Sequence, residues 1–365
     1  MNATLEQLVD GVRASAARAT PLCVRAGGTK SFHPRGAPVP GDVLDVRPLG
    51  GVLDYEPTEL VITARAGTPL AELQALLAAQ GQYLAFEPPQ FAPGGTLGGM
   101  VASGLSGPAR ASVGALRDFV LGVEIINGRG ELLRFGGQVM KNVAGYDVSR
   151  LMAGSWGQLG VITEVSLKVL PRPVSEASLR FECAQDEALR RLAAWGRQPL
   201  PLNASCWVRA DGQELLYVRL RGARAAVDAA ASAMGGERLG DVADDWQACR
   251  DQRLPWFTGM TGDHALWRLS VPQTAPVLAL PGGVDAPLIE WHGGLRWVQA
   301  PLAAGDALRA AARAVGGSAI LFRAPGADGA GATVDSYPES QALRAIHERL
   351  KQAFDPAGIF NTGRA

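Results

Sequence analysis

Five glycines within twelve residues form the part of this sequence with the clearest chemical meaning. Residues 93–104 read Pro-Gly-Gly-Thr-Leu-Gly-Gly-Met-Val-Ala-Ser-Gly. Because glycine lacks a Cβ and tolerates positive φ, this backbone could run close to a ligand and turn its N–H groups toward an anion. The residues between the glycines are small or apolar, which favours a buried loop over a helix or a polar linker. The stretch therefore predicts a site for a large phosphorylated ligand.

A second glycine turn follows a short predicted strand at Leu22–Arg25. The turn reads Ala-Gly-Gly-Thr-Lys-Ser-Phe over residues 26–32, and such a turn after a strand is a common phosphate-binding arrangement. Thr29 separates Gly28 from Lys30, so the Gly-Lys-Ser/Thr order of a P-loop is absent. The Rossmann fingerprint G-x-G-x-x-G is also absent. On its own, the segment fits another nucleotide fold and a plain turn equally well.

Composition narrows the class of protein. A length of 365 residues with 47% apolar and 19% charged residues is typical of one large or two ordinary folded domains. The 35 basic residues balance the 35 acidic ones, so nucleic acid and anionic lipid are not expected as main partners. The N-terminus reads as an amphipathic helix and not as a signal peptide, and no apolar run approaches the roughly 20 residues of a transmembrane helix. Four cysteines without a Cys-x-x-Cys pair predict reduced thiols and no metal centre.

Short strands and helices are predicted around the two glycine segments. Strands are predicted at 22–25, 43–46, 52–55, 60–66, 120–127, 131–135 and 161–169, with a hairpin at Asn127-Gly128-Arg129-Gly130. A helix is predicted from Leu70, with Thr68 as its N-cap and Gly81 at its end.

Pro171 and Pro173 interrupt this pattern and indicate a domain boundary. Strands are then predicted at 178–183, 204–209, 214–221, 265–271, 288–291, 295–299 and 318–322, and helices at 186–195, 223–234, 306–315 and 339–354. This order predicts an α+β domain built from two ferredoxin-like units.

Four pieces of sequence, in this order and spacing, resemble the FAD-binding domain of the vanillyl-alcohol oxidase superfamily, also called the PCMH-type flavin domain. They are Arg25-x-x-Gly28-Thr29, residues 94–104, Gly114-x-x-Arg117-Asp118-x-Val120-Leu121-Gly122, and Gly154-Ser-Trp-Gly157-x-Leu-Gly160-Val-Ile-Thr163. The ending Asp355-Pro-x-Gly-Ile-Phe-Asn361-x-Gly363 matches the way such chains return to the flavin domain. Residues 140–147, Met-Lys-Asn-Val-Ala-Gly-Tyr-Asp, joined to a short second domain, resemble the smaller flavin subunits of bacterial glycolate oxidases.

The resemblance implies a PCMH-type domain of two α/β subdomains at 1–172, a ferredoxin-like α+β cap domain for substrate or partner at 173–336, and a C-terminal segment, 337–365, that returns to the flavin domain. The residues it implies for FAD binding are Arg25, Gly27, Gly28, Thr29, Lys30, Ser31, Pro93, Gly94, Gly95, Thr96, Gly98, Gly99, Ser103, Gly104, Arg117, Asp118, Lys141, Asn142, Gly145, Gly160, Val161 and Ile162. Superfamily members that attach FAD through a histidine carry it where Thr29 stands, so non-covalent FAD is expected.

Oxidation of a 2-hydroxy acid needs a cation for the carboxylate and a base for the hydroxyl proton, with the flavin as hydride acceptor. The weak candidates for these roles are His292, Arg268, Arg323, Lys141 and Tyr146. His292 fits a plain hairpin turn as well, the two arginines fit polar positions of half-buried strands, and Lys141 and Tyr146 fit a hydrogen-bonded loop. The catalytic residues therefore stay open at this point.

The resemblance implies an FAD-binding subunit of a multi-subunit glycolate oxidase. Such a chain would work with a larger FAD-containing subunit and an iron–sulfur subunit, in the cytoplasm or at the inner membrane face through its partners. Two alternatives stay open: a self-sufficient FAD dehydrogenase for a 2-hydroxy acid or alcohol, and a flavin-fold subunit that serves as an assembly scaffold.

Overall fold

The computed structural model of the chain describes residues 3–137, 147–260, 262–326 and 341–362. The chain divides into two units. The first comprises Met1–Leu105, Ala115–Pro171 and Ala330–Ala365, and the second comprises Ser106–Gly114 and Arg172–Gly329. Residues 106–114, which the predicted boundaries placed in the first domain, therefore belong to the second unit.

Both units contain helices and strands. Within the described residues the helices are α1 Ala3–Arg18, α2 Leu70–Ala79, α3 Leu97–Ser103, α4 Arg110–Val113, α5 Val148–Met152, α6 Gln185–Trp195, α7 Arg224–Met234, α8 Ala243–Arg250, α9 Pro255–Thr258, α10 Gly305–Ala314 and α11 Gln341–Phe354. The strands are β1 Leu22–Arg25, β2 Asp42–Asp45, β3 Val52–Glu56, β4 Val61–Arg65, β5 Gln82–Tyr83, β6 Val120–Ile126, β7 Leu132–Gly136, β8 Val161–Lys168, β9 Leu170–Pro171, β10 Ser175–Glu182, β11 Leu202–Ala210, β12 Gln213–Gly222, β13 Glu237–Arg238, β14 His264–Ser270, β15 Leu288–Glu290, β16 Leu295–Pro301 and β17 Ser318–Arg323.

The first unit contains a parallel pair and a larger antiparallel sheet. Strands β1 and β2 are parallel, and the five-stranded sheet has the order β3-β4-β8-β6-β7. The predicted hairpin joins β6 and β7. The predicted strands of this unit are thus confirmed to within one or two residues. The predicted N-cap of α2 is wrong, because Pro69 occupies that position and the Thr68 hydroxyl accepts a hydrogen bond from the Gly51 N–H at 3.0 Å.

The end of the chain extends the parallel pair of the first unit. The Leu22 N–H donates to the Ile359 carbonyl at 2.7 Å, and the Asn361 N–H donates to the Leu22 carbonyl at 2.9 Å. The buried Asp355 carboxylate fixes this tail, because it accepts from the N–H groups of Ile359 and Phe360 and from Lys351 Nζ at 2.6 Å. The last helix and the first strand are therefore tied together by buried polar contacts.

The second unit is built on a single eight-stranded antiparallel sheet, with the order β13-β10-β12-β11-β15-β16-β14-β17. Each half places its first and third strands in the centre, as a ferredoxin-like unit does. The halves join edge to edge through β11 and β15. The second half has α10 but only the loop at 271–287 where the first half has α6. The predicted pair of ferredoxin-like units is confirmed, with one helix replaced by a loop.

Candidate functional site

A cleft in the first unit lies between the turn after β1 and the N-terminal half of α3. Its empty volume is about 910 Å³, part of which is open to solvent. Twelve of the predicted FAD-binding residues line it: Arg25, Gly27, Gly28, Thr29, Lys30, Ser31, Thr96, Gly98, Gly99, Ser103, Gly160 and Ile162. The two glycine segments, about 70 residues apart in sequence, thus meet at one cleft.

The turn at 27–30 offers the cleft a row of backbone donors. Among the described residues, no protein acceptor is found for the N–H groups of Gly27, Gly28, Thr29 and Lys30. The Ser31 hydroxyl closes the turn by donating to the Gly28 carbonyl at 2.7 Å, and Gly28 has φ +66°. Four consecutive backbone N–H groups without protein acceptors form the kind of concavity that binds anions.

The glycine-rich segment forms a wall of the cleft that packs closely on a neighbouring part of the chain. It does not form a loop that offers its N–H groups to a ligand. Its second half is helix α3, capped at Thr96, whose Oγ1 accepts from the Gly99 N–H at 3.2 Å. The Gly98 N–H donates to the Ala66 carbonyl at 2.7 Å. A Cβ added at Gly98 would lie 2.7 Å from the Ala66 Cβ. The expected loop is therefore wrong here, because glycine lets this helix pack against the chain just after β4.

Glycine also brings the two walls together. A Cβ added at Gly27 would lie 1.8 Å from the Gly94 carbonyl oxygen, and one at Gly36 would lie 2.1 Å from the Lys30 carbonyl oxygen. Any side chain at these two positions would force backbone apart. The width of the cleft therefore depends on the absence of side chains there.

Two cationic side chains line the cleft beside the row of donors. Arg25 is exposed, whereas Lys30 is half-buried. Burial lowers the pKa of Lys30 from 10.5 to about 8, because the surrounding protein desolvates its ammonium group. An anion in the cleft would favour the charged form of Lys30.

His33 has a structural place beside the cleft. Its imidazole stacks on Trp156 at a centroid distance of 4.5 Å, and its Nδ1 accepts from the Arg35 N–H at 3.1 Å. The Trp156 carbonyl in turn accepts from Asn361 Nδ2 at 2.8 Å, so the tail of the chain supports this wall.

The remaining predicted FAD-binding residues lie elsewhere. Pro93, Gly94, Gly95 and Gly104 flank the lining residues, and Val161 is fully buried in β8. Arg117 is exposed, and Asp118 accepts a hydrogen bond from the Ala115 N–H at 2.8 Å, so neither lines the cleft. Lys141, Asn142, Gly145 and Tyr146 lie outside the described residues.

The lining residues that the prediction missed are Cys23, Val24, Ala26, Gly36, Pro38, Val46, Ala66, Ala102, Trp156 and Gly157. Most of these are small or apolar and carry no distinctive signal, whereas Trp156 and Gly157 stood in the last of the four motifs.

In the second unit, His292 lies in a short turn, as predicted, but it is linked to two serines. Its Nε2 is 2.9 Å from Ser112 Oγ, and its Nδ1 is 3.0 Å from Ser205 Oγ. Burial lowers the pKa of His292 from 6.5 to about 4, so the imidazole is neutral near pH 7. Ser112 and Ser205 carried no signal in the sequence, because 180 and 87 residues separate them from His292.

The tautomer of His292 follows from Ser205. The buried Ser205 Oγ already accepts from the backbone N–H of His292 at 3.0 Å. Among the described residues, the only acceptor for the Ser205 O–H is His292 Nδ1. We therefore assign the ring proton to Nε2, which donates to Ser112 Oγ.

The two candidate arginines occupy different places in the second unit. The Arg268 guanidinium lies over the Trp291 ring, 5.1 Å from its centroid, next to His292 in sequence. Arg323 donates to Gln252 Oε1 at 3.1 Å, and burial lowers its pKa. Among the predicted catalytic candidates in the described residues, Arg268 and His292 belong to the same region, because Arg268 contacts the ring of Trp291, the residue before His292. Arg323 contacts Gln252 instead.

Comparison with known proteins identifies the chain's family. A family model described as an FAD binding domain matches residues 2–136. The glycolate oxidase subunit GlcE of Escherichia coli (strain K12) is 46% identical over 359 residues, covering 98% of this chain and 96% of that protein. The chain belongs to the GlcE family. The similarity to this relative extends over nearly the whole length of both chains and not only over the flavin domain.

Two other similar proteins are less closely related to this chain. The glycolate oxidase subunit GlcD of Bacillus subtilis (strain 168) is 31% identical over 160 residues, 44% of this chain and 34% of that protein. A solved structure of alkyldihydroxyacetonephosphate synthase matches with a TM-score of 0.67 at 18% identity, over 98% of this chain and 74% of that one. At this identity the structural match shows the fold alone, a PCMH-type FAD-binding fold joined to an α+β unit.

No group of three or more His, Cys, Asp and Glu side chains in the described part of the chain is placed to hold a metal ion. No helix there combines the length and apolar character needed to cross a membrane.

Proposed function

We propose that this chain binds FAD without a covalent bond, in the cleft of the first unit, as the FAD-binding subunit of a multi-subunit glycolate oxidase. A larger flavin subunit and an iron–sulfur subunit would complete the path of electrons from the 2-hydroxy acid. The observation that carries the proposal is the row of N–H groups at residues 27–30, in the cleft of a chain that belongs to the GlcE family.

The residues of the cleft fit the diphosphate of FAD. A diphosphate needs several donors at close range, and the 27–30 turn supplies four backbone N–H groups. Lys30 and Arg25 add positive charge beside these donors. Gly98 and Gly99, which also line the cleft, add no side chain to its wall.

Bound FAD would supply the hydride acceptor, while the chain binds and orients it. Non-covalent binding is supported by Thr29, which has no nucleophilic ring nitrogen to attach a flavin. The nearby His33 is packed on Trp156 and held through Nδ1. We therefore expect denaturation to release all flavin from the protein.

The test is a flavin and iron count on the purified protein. A tagged chain, co-purified with its partners, should yield one FAD per chain that acid releases, together with iron from the iron–sulfur subunit. The chain purified alone should take up FAD when titrated. Absence of flavin absorbance, even after FAD is added, would overturn the proposal.

A self-sufficient FAD dehydrogenase is the second candidate, because Arg268 lies over the ring of Trp291, which precedes His292 in the second unit. Steady turnover of glycolate or D-lactate by the isolated chain with an artificial acceptor would favour it. A scaffold role makes the opposite prediction: replacing Gly98 with leucine would remove FAD and leave assembly and activity of the complex intact.

A further inference from the structure

Trp156 and Gly157 form a sharp bend in the wall of the cleft. Both residues line the cleft, and both have positive φ, +51° and +72°. A bulky residue in the left-handed region is uncommon, and it persists where neighbouring groups hold it in place. Here the Trp156 N–H donates to the Ala102 carbonyl at 2.9 Å, and the Trp156 carbonyl accepts from Asn361 Nδ2 at 2.8 Å. Hydrogen bonds at both ends of Trp156 therefore hold the bend.

Asn361 is itself fixed by the first strand. Its N–H donates to the Leu22 carbonyl at 2.9 Å, and its Oδ1 accepts from the Val24 N–H at 3.0 Å. Asn361 is buried and has φ +44°, a conformation that asparagine tolerates better than most residues. Because Oδ1 already accepts from Val24, the amide turns its Nδ2 donor toward the Trp156 carbonyl.

The Asn361 amide decides which way the peptide group between Trp156 and Gly157 points. In a trans peptide the C=O and the N–H lie on opposite sides of the chain. Because the Trp156 carbonyl points at Asn361, the Gly157 N–H points away from it. A Cβ added at Gly157 would lie 2.6 Å from Asn361 Nδ2, so Asn361 also covers the side of Gly157 where a side chain would stand. Gly157 lines the cleft and Asn361 does not, so the Gly157 N–H lies on the side that faces the cleft.

The Gly157 N–H finds no acceptor among the described residues of the chain. Backbone N–H groups without any partner are rare in folded proteins, because leaving them unpaired is costly. Water can satisfy this group while the cleft is open to solvent. An oxygen atom of a bound ligand can take the place of that water.

We propose that Asn361 is a positioning residue for the cofactor site. It turns the Gly157 N–H into the cleft, where this group donates to an oxygen atom of the bound FAD. The inference rests on the proposed function, which supplies the cofactor. Asn361 stands 205 residues after Trp156 and acts on FAD through the peptide group that it orients.

The test follows FAD binding and the exchange of single backbone amides in the full chain. NMR of chain labelled with nitrogen isotope in glycine and tryptophan reports on both residues of the bend. In the wild type, FAD should slow the solvent exchange of the Gly157 N–H. The Trp156 N–H is bonded to the Ala102 carbonyl, so it should exchange slowly with and without FAD.

Asn361→Asp removes the donor to Trp156 and keeps an acceptor for the Val24 N–H. FAD affinity should fall by about two- to tenfold, the contribution of one hydrogen bond, and FAD should no longer protect the Gly157 N–H. As the pH falls, the new carboxyl group takes up a proton and gains an O–H donor. The ratio of variant to wild-type affinity should then recover, which a role in stability alone would not produce.

Asn127→Asp is the matched control. Asn127 is a buried asparagine of the same unit, and its Nδ2 donates to Glu131 Oε2 at 2.7 Å in the β6–β7 hairpin. This variant should lose stability and leave FAD affinity and Gly157 protection unchanged. Asn361→Gly suits the positive φ at this position and decides if Asn361→Asp fails to fold. It should lose FAD affinity by a similar factor, without recovery at low pH.

A wild-type chain that binds FAD and leaves the Gly157 N–H exchanging freely overturns this inference alone. FAD affinity equal to that of the wild type in Asn361→Asp, or in Asn361→Gly where the first variant does not fold, has the same meaning. A wild-type chain that binds no FAD overturns the proposed function and this inference with it.

Discussion

The first unit lines its candidate site with backbone and small residues, whereas the second unit gathers polar side chains from distant parts of its chain. In the cleft, the donors are N–H groups of consecutive residues, and glycine contacts set the distances. At the Trp291–Gly293 turn, the polar side chains are Ser112 from α4, Ser205 from β11 and Arg268 from β14. A backbone site depends on space that must stay empty, and a side-chain site depends on groups that must stay aligned. The two kinds of site should therefore fail in different ways when mutated.

Filling the space at Gly27 should have the largest effect on FAD binding. In Gly27→Ala the new methyl group would meet the Gly94 carbonyl oxygen at 1.8 Å, so one wall of the cleft must move. Overpacking of this kind costs about 1–3 kcal/mol or more, and we expect FAD affinity to fall at least about tenfold. Flavin absorbance per chain after gel filtration measures it.

Gly137→Ala is the control for that substitution, because no atom of the described residues lies within 4 Å of its added Cβ. It should retain FAD as the wild type does. Equal FAD content in the two variants would mean that the walls adapt, and the contrast between the two units would then lose its basis.

Removing the buried carboxylate of Asp355 should have the largest effect on the free energy of unfolding. Asp355→Ala leaves the N–H groups of Ile359 and Phe360 and the Lys351 ammonium without their acceptor. Breaking a buried charged pair costs about 3–5 kcal/mol, and partial exposure of Lys351 favours the lower end. Hydrogen exchange should quicken at residues 20–31 and stay unchanged in β10–β12.

Asp306→Ala is the matched variant, since Asp306 is almost fully exposed beside Arg309. Its loss should cost less than about 1 kcal/mol. A similar cost for both variants would show that the tail contributes little to the first unit.

Acid should weaken the second unit through His292. The pKa of His292 is about 4 in the folded chain and 6.5 in the unfolded one, so between these values the unfolded chain binds more protons. The free energy of unfolding should therefore fall as pH drops from about 6.5 to about 4, by up to about 3 kcal/mol. Urea titrations across this range measure it, and His292→Gln should remove the slope.

The smallest effect concerns Lys30 and is a change in pH dependence. Its pKa is about 8 without ligand, and the FAD diphosphate should raise it. Above pH 8, binding then takes up a proton, so the Kd for FAD should rise with pH by up to about tenfold per unit. Lys30→Gln should bind more weakly at pH 7 and show a flat profile. An unchanged slope in Lys30→Gln would exclude this role.

Sequence could predict the backbone site because its parts are contiguous. The 26–32 turn and its glycine order are visible without any structure, and most of this turn lines the cleft of the first unit. Glycine has a low intrinsic helix propensity, so the segment 97–103 was expected as a loop. Its close packing of Gly98 against Ala66 favours the helix in the fold. At residues 97–103, tertiary packing therefore outweighs the low helix propensity of glycine.

The side-chain site could not be predicted in the same way. His292 alone fits a plain turn, and only the pairing of β11 with β15 brings Ser205 beside it. Ser112 reaches the same ring from a segment that the predicted boundaries gave to the other domain. Partnerships across 87 and 180 residues leave no pattern in a single sequence.

The tail at Asp355–Asn361 also bears on how the molecule is made. Asn361 holds both Val24 and the Trp156 carbonyl, so the wall of the cleft is completed by residues that are synthesised after the second unit. At about 5–20 residues per second, the earlier parts of the cleft wait several seconds or more for them. The second unit, whose described strands end at Arg323, is synthesised within that interval. A nascent chain that has not yet reached Asn361 lacks this support of the cleft wall, so we expect it to hold the cofactor more weakly than the chain that includes Asn361.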